Sequence, residues 1–267
     1  MNSEHDITMY PSVRQVIFVI LLTIGIVFLL GLIGTMLGAT KELYLLEAVV
    51  ILPALLFIYK NRLSAVALFR LRGVNSRVVL ISIIIALGIA VVTDEIDRIV
   101  EIFFPMPDAV RQAIEAALKI ESHSDLIIIV VSSVIFAAIV EEMLFRGFVQ
   151  TSFEHHFDIT KAVMSSALLF AVIHFNPWWL IQVIIIGVIL GVMAWKSNSI
   201  IPPIIVHFIN NSLAIVFVNL SPDQMRWYLR GDHVQIPVVL AAIIATVWGM
   251  KLFYEFTESH DSAHLYP

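Results

Sequence analysis

Long apolar runs along this chain are separated by short polar breaks, and the breaks divide it into eight candidate membrane-crossing helices. They cover about Gln15–Leu37, Leu43–Tyr59, Val78–Thr93, Leu126–Phe148, Ala162–Phe175, Trp179–Trp195, Ile200–Leu220 and Ile236–Phe253. A helix needs about 20 apolar residues to cross the hydrocarbon layer. The second run carries Glu47 near its start and Pro53 inside. The third is short and is expected to continue into the polar stretch Asp94–Glu101. Asn176-Pro177 ends the fifth, because proline disfavours helix at the residue before it. Leu63–Gly73 interleaves apolar residues with Arg70 and Arg72 and suits an interfacial helix. Ala109–Glu121 reads as a mixed-charge helix on the opposite side. Both ends of the chain are expected to fray. The pattern predicts an all-α, polytopic membrane helical bundle with about eight transmembrane helices, forming one integral-membrane domain over residues 1–267.

Composition agrees. Of the 267 residues 60% are hydrophobic and 14% charged, against about 25% charged in a typical soluble domain; the mean hydropathy is +0.94. The 26 uncharged residues between Arg14 and Lys41 exceed the roughly 7–15 of a signal-peptide core, so this run reads as a retained span. The net charge of −5 is modest and spread out, and no lysine-arginine cluster resembles a phosphate-binding surface, so no nucleic-acid partner is expected. The absence of cysteine excludes disulfides, a thiol nucleophile and thiolate metal sites.

Basic residues orient the spans. With the N-terminus inside, Arg14, Lys60, Arg62, Arg70, Arg72, Arg77, Arg146, Lys161, Lys196 and Lys251 fall on the inner side. Lys41, Arg98, Arg111, Lys119, Arg226 and Arg230 fall outside. Both termini are therefore expected in the cytoplasm. No internal repeat of the transporter kind and no arginine ladder is visible. Oligomeric state is not encoded in any feature read here.

Ionisable groups inside spans cost roughly 2.5–3.5 kcal/mol at the centre on insertion scales and mark function. Four places stand out: the pair Glu141-Glu142, Arg146, His174 and His207. Adjacent helical residues point about 100° apart, so the two glutamates need different partners. Glu142 and Arg146 are four apart and can pair, leaving Glu141 free to face a cavity. His207 and Asn211 also share a face, with Asn210 as a competitor. Singly, each has a plain explanation: helix-end solvation for the glutamates, core packing for His174, interhelical bonding for His207 and Asn211. Together, on three spans, they can surround one wet pocket.

Glutamate and histidine can hold and deprotonate a water, and histidine and asparagine can donate to an oxyanion. Alternatively Glu141, His174 and His207 could ligate zinc with water in the fourth position. No His-Glu-x-x-His helix and no Gly-x-Ser-x-Gly elbow occurs. His155-His156 reads as solvated loop, Trp178-Trp179 as an interfacial aromatic pair, and Asp232-His233 as remote from the cluster.

The ordered set Glu141-Glu142-x-x-x-Arg146, Phe170-x-x-x-His174 and His207-x-x-x-Asn211 resembles the CPBP group. These are the type II CAAX-prenyl endopeptidases and their bacterial Abi relatives. The layout from about Leu126 to Leu220 follows that family, and the N-terminal third matches it only in being hydrophobic. The resemblance implies an intramembrane endopeptidase with its catalytic core at about 126–220. It implies Glu141 as the base that activates water, His174 as its orienting partner, His207 and Asn211 as oxyanion donors, and Glu142 and Arg146 as support. It implies a glutamate-dependent reaction that requires no cofactor, with zinc as the alternative. A bacterial-type member is expected, in a bacterial or archaeal cell membrane, acting on a membrane-bound or hydrophobic peptide or protein; nothing selects a prenyl group. A proton-coupled transporter and a non-catalytic immunity or binding protein are the rival readings.

Overall fold

The computed structural model describes residues 10–38 and 41–261; the frayed ends expected from the sequence lie outside them. Local signals start many of the helices. Ser12 caps α1 (Val13–Met36) in a capping box with Gln15, satisfying amides the first turn leaves open. After it comes a 3₁₀ segment (Lys41–Val49) and then α2 (Leu52–Lys60), with Pro53 in the first turn, where its missing N–H costs nothing. A single turn, α3 (Ala65–Leu68), is followed by α4 (Ser76–Phe103). The amphipathic α5 (Asp108–Leu118) leads to the long α6 (His123–Glu154). Then come α7 (Ile159–Ile173), capped by Asp158, α8 (Leu180–Ser197) and α9 (Ile201–Asn219). A two-residue antiparallel pair, Leu229–Arg230 with His233–Val234, precedes α10 (Ile236–Asp261).

The fold is the all-α polytopic bundle the pattern predicts. Among the described residues six helices are long and apolar enough to cross a membrane: α1, α4, α6, α8, α9 and α10. Two expected spans are built differently. The Leu43–Tyr59 run is split between the 3₁₀ segment and α2, nine residues each. At about 2.0 and 1.5 Å of rise per residue the two together still extend about 30 Å, the thickness of the hydrocarbon layer. The Ala162–Phe175 run gives α7 only 15 residues. Leu63–Gly73, expected as an interfacial helix, keeps one helical turn and then bends at Arg70, whose φ is +48°.

Two apolar clusters organise the bundle. One joins α1, α2, α6 and α7 through Val19, Ile58, Leu144, Phe148 and Phe170. The other joins α4, α8, α9 and α10 through Ile85, Ile89, Leu190, Val206 and Phe253. Outward residues such as Phe18, Phe28, Leu80, Leu240, Ile244 and Trp248 are exposed, as lipid-facing side chains should be. The loops sort to two ends as the alternation of spans requires. At one end Arg70 pairs with Glu154, Ser199 bonds the Arg72 carbonyl at 2.6 Å and His155 stacks on Tyr10. At the other, Lys41 meets Asp125 at 2.6 Å, Asn219 bonds the Leu118 carbonyl at 3.0 Å, and Tyr228 bonds Asp94 at 2.8 Å. Arg146 leaves the loop count: it is fully buried, because its guanidinium has partners in the interior.

Close packing seats α8 against α6 and α7. A Cβ on Gly187 would lie 3.1 Å from the Ala167 Cβ, and one on Gly191 2.8 Å from Gln150 Oε1. Those glycines let two polar side chains of α6 reach the α8 backbone. Arg146 Nη2 donates to the Gly187 carbonyl at 3.2 Å, and one turn on Gln150 Nε2 donates to that of Gly191 at 2.8 Å.

Candidate active site

The middle of α6 is not a regular α-helix. Val130–Phe136 and Met143–Val149 are π-helical, and the α-helical stretch Ala137–Glu142 between them carries both glutamates. Such widened turns concentrate at functional sites, because they turn side chains away from their α-helical directions.

Glu142 and Arg146 form the ion pair the spacing predicts, at 3.0 Å and with both side chains fully buried. The guanidinium also lies over the Phe170 ring, 4.2 Å from its centroid. Glu142 Oε1 has a second partner, Nδ1 of His207, at 2.8 Å. A carboxylate only accepts, so Nδ1 carries the hydrogen and Nε2 is turned the other way.

That nitrogen faces Glu141: His207 Nε2 is 3.9 Å from Glu141 Oε2. His174 Nε2 stands 4.0 Å from the same oxygen. His174 is the C-cap of α7, and its Nδ1 donates to the Phe170 carbonyl at 2.7 Å, so its Nε2 presents a lone pair. Phe170 packs edge-on against both imidazoles, with centroid distances of 4.8 and 5.8 Å. The two Nε2–Oε2 separations are too long for hydrogen bonds and suit a single bridging water. Oε2 is itself buried without a hydrogen-bond partner, and such an atom calls for one.

Asn211 lies one turn beyond His207, and its Nδ2 donates to the Ser133 carbonyl of the first π segment at 2.9 Å. One amide hydrogen is thereby used and one remains. Asn210, its competitor in the sequence, donates to Asn211 Oδ1 at 3.4 Å, steadying that side chain. So Glu141, His174 and His207 converge, Glu142 and Arg146 support His207, and Asn211 stands on the same face of α9.

The depth of His174 follows from the shortness of α7. Fifteen residues rise only about 22 Å, less than the roughly 30 Å of the hydrocarbon layer. Phe175 follows at φ +50°, and Asn176 Oδ1 accepts from the amides of Trp178 and Trp179 at 3.1 and 3.3 Å. Irregular backbone at membrane depth is tolerated where it lines a wet cavity or is buried in protein. Trp178 donates its indole N–H to the Pro105 carbonyl at 3.3 Å, which ties this loop to the end of α4.

Residues 123–213 match the family model described as Type II CAAX prenyl endopeptidase Rce1-like. This is a family of proteases, and it agrees with the resemblance carried by the three motifs. The matched segment holds all of them and leaves everything before residue 123 outside. No curated protein and no solved structure matches the chain. With its six apolar helices the chain is an integral membrane protein, and its segment 123–213 is similar to this family of CAAX-type proteases.

The donor set Glu141, His174 and His207 has the right chemistry for zinc, but among the described residues no three His, Asp or Glu side chains are grouped as a metal cluster. Metal–ligand bonds of about 2.0–2.1 Å would bring tetrahedral donors to about 3.3 Å from one another, closer than the 3.9 and 4.0 Å found. One residue at the site went unread in the sequence. Glu47, from the 3₁₀ segment, reaches Glu141, close enough for the two carboxyl groups to share a hydrogen bond.

Proposed function

We propose that the protein is an intramembrane endopeptidase that hydrolyses membrane-associated or hydrophobic peptides by water activation at Glu141. The observation that carries this reading is the convergence of Glu141 Oε2 with Nε2 of His174 and of His207, at 4.0 and 3.9 Å, separations that one water can bridge. A water there donates one hydrogen to Glu141 and the other to the His174 lone pair, which leaves its own lone pair directed at a scissile carbonyl. As the C–O bond forms, Glu141 takes the water's proton. As the C–N bond breaks, it returns that proton to the leaving amine.

The carbonyl oxygen becomes an oxyanion in the first of these steps. His207 can meet it as an imidazolium, with Nδ1–H on Glu142 and Nε2–H toward the oxygen, because the Glu142 carboxylate favours that charge. The second amide hydrogen of Asn211 supplies a further donor. Arg146 holds Glu142 in place. No step requires a metal or another cofactor.

The sorting of loops to two ends supports a topology with both termini on the cytoplasmic side, where most basic residues then lie. The lipid-facing surroundings favour an apolar peptide as substrate. The test is turnover of a membrane-tethered peptide library by purified wild type and by Glu141→Gln. Cleavage by the wild type alone is expected, with both proteins inserted and folded; equal turnover by the variant removes Glu141 as the base.

A further inference from the structure

The N-terminal third of the chain sends one ionisable side chain to the site. Glu47 sits on the 3₁₀ segment, which packs against the part of α6 that carries Glu141. Its carboxyl group is close enough to that of Glu141 for the two to share a hydrogen bond, and it lies within electrostatic reach of His174 and His207. Two ionised carboxylates have no hydrogen to share, so this bond exists only when one member of the pair is a carboxylic acid.

The element that presents Glu47 is clamped at both ends. Lys41, its first residue, donates to Asp125 at 2.6 Å and to the Lys119 carbonyl at 2.9 Å, fixing it to the start of α6. Beyond its last residue the Val50 carbonyl accepts from Thr23 of α1 at 3.5 Å. A side chain on an element held this way can set the direction of a neighbour. Glu141 needs such help: its Oε2 stands 3.9 and 4.0 Å from the two imidazoles and touches neither.

We propose that Glu47 is a positioning residue of the hydrolytic site, whose carboxylic acid donates a hydrogen bond to the Glu141 carboxylate and holds it toward His174 and His207. The hydrolytic machinery then extends beyond the family-matched segment into the 3₁₀ element. This inference rests on the reading of Glu141 as the base.

The test follows cleavage of a membrane-tethered peptide in lipid vesicles by full-length wild type, Glu47→Leu, Glu47→Gln and Glu141→Gln, with thermal unfolding of each. Glu47→Leu keeps the volume and loses the donor. Its kcat is expected to fall by about tenfold or more with KM within about twofold. Glu47→Gln offers an amide N–H in place of the acid and is expected to recover much of that loss; a purely structural role would not single out the hydrogen-bond donor. A kcat for Glu47→Leu within about threefold of wild type, or a Gln variant as slow as the Leu variant, overturns the inference. Should that happen while Glu141→Gln is inactive, the proposed function stands and only the role of Glu47 falls. Turnover by Glu141→Gln removes both. If the Leu variant fails to fold, or no peptide is cut, infrared spectroscopy decides. The carbonyl stretch of a buried carboxylic acid is expected in wild type and absent from Glu47→Gln, and its persistence unchanged in that variant overturns the inference.

Discussion

His207 gives its Nδ1–H to Glu142 across 2.8 Å, and Glu142 takes a second bond from Arg146 at 3.0 Å on the same oxygen. Two donors on one buried oxygen fix the imidazole as a lock fixes a bolt. The Nε2 edge then has one direction open to it, toward Glu141.

Glu142→Gln breaks this arrangement without a large change in volume. An amide oxygen holds His207 less well, cannot favour an imidazolium, and leaves Arg146 without its counter-charge. Peptide turnover is expected to fall by about 10²-fold or more, as for loss of an oxyanion donor. Steady-state kinetics on the tethered peptide check it; a variant within fivefold of wild type, on the order of 1 kcal/mol, would remove Glu142 from the mechanism.

Arg146 and Arg111 make a controlled comparison. Arg146 is fully buried on Glu142, whereas Arg111 is a half-exposed arginine beside Glu101. Removing one partner of a buried pair costs about 3–5 kcal/mol, and an exposed pair is worth about 1 kcal/mol or less. Arg146→Ala should therefore lower the unfolding temperature or the folded yield far more than Arg111→Ala. Equal behaviour in thermal denaturation would show that Glu142 does not depend on its arginine.

Exhaustive chelation is expected to leave cleavage unchanged, since the proposed steps run through Glu141 and the two histidines alone. The measurement is the rate before chelation, after it, and after adding back zinc. Loss of activity that zinc restores would assign Glu141, His174 and His207 as metal ligands instead.

The contact between α6 and α8 predicts a position-specific effect of adding bulk. Gly191→Leu must push into Gln150 and Val163, whereas Gly25 has nothing within 4 Å of its would-be Cβ. Overpacking costs about 1–3 kcal/mol, so Gly191→Leu should unfold at lower temperature than Gly25→Leu. It should also reduce activity, because Gln150 and Arg146 reach α8 side by side.

Much of the bundle was legible because a 20-residue apolar run in a membrane chain has few structural options. The divergence of Glu141 and Glu142 followed from helix geometry, and so did the pairing of Glu142 with Arg146. Helix geometry does not reveal that both glutamates face the same imidazole, Glu142 bonded to Nδ1 at 2.8 Å and Glu141 3.9 Å from Nε2, since that depends on how α9 docks. The 3₁₀ form of Lys41–Val49 was hidden because its apolar content suits any helix, and Glu47 with it, since its target lies on a distant part of the chain. Arg146 was sorted with the loop residues because a position near the end of an apolar run looks exposed until its partners are known. Gly187 and Gly191 carried a usable signal, two small residues four apart on one helix face, that was not drawn on.

The shortness of α7 has a consequence for the bilayer itself. Its exposed stripe, Met164, Leu168 and Val172, covers about 12 Å along the axis, and the whole helix about 22 Å where the hydrocarbon layer offers about 30 Å. A helix shorter than the layer can be matched by local thinning of the bilayer. A thinned annulus beside His174 would lower the barrier for a polar peptide bond to slide in sideways, so the protein would prepare its surroundings for the substrate as well as its own interior.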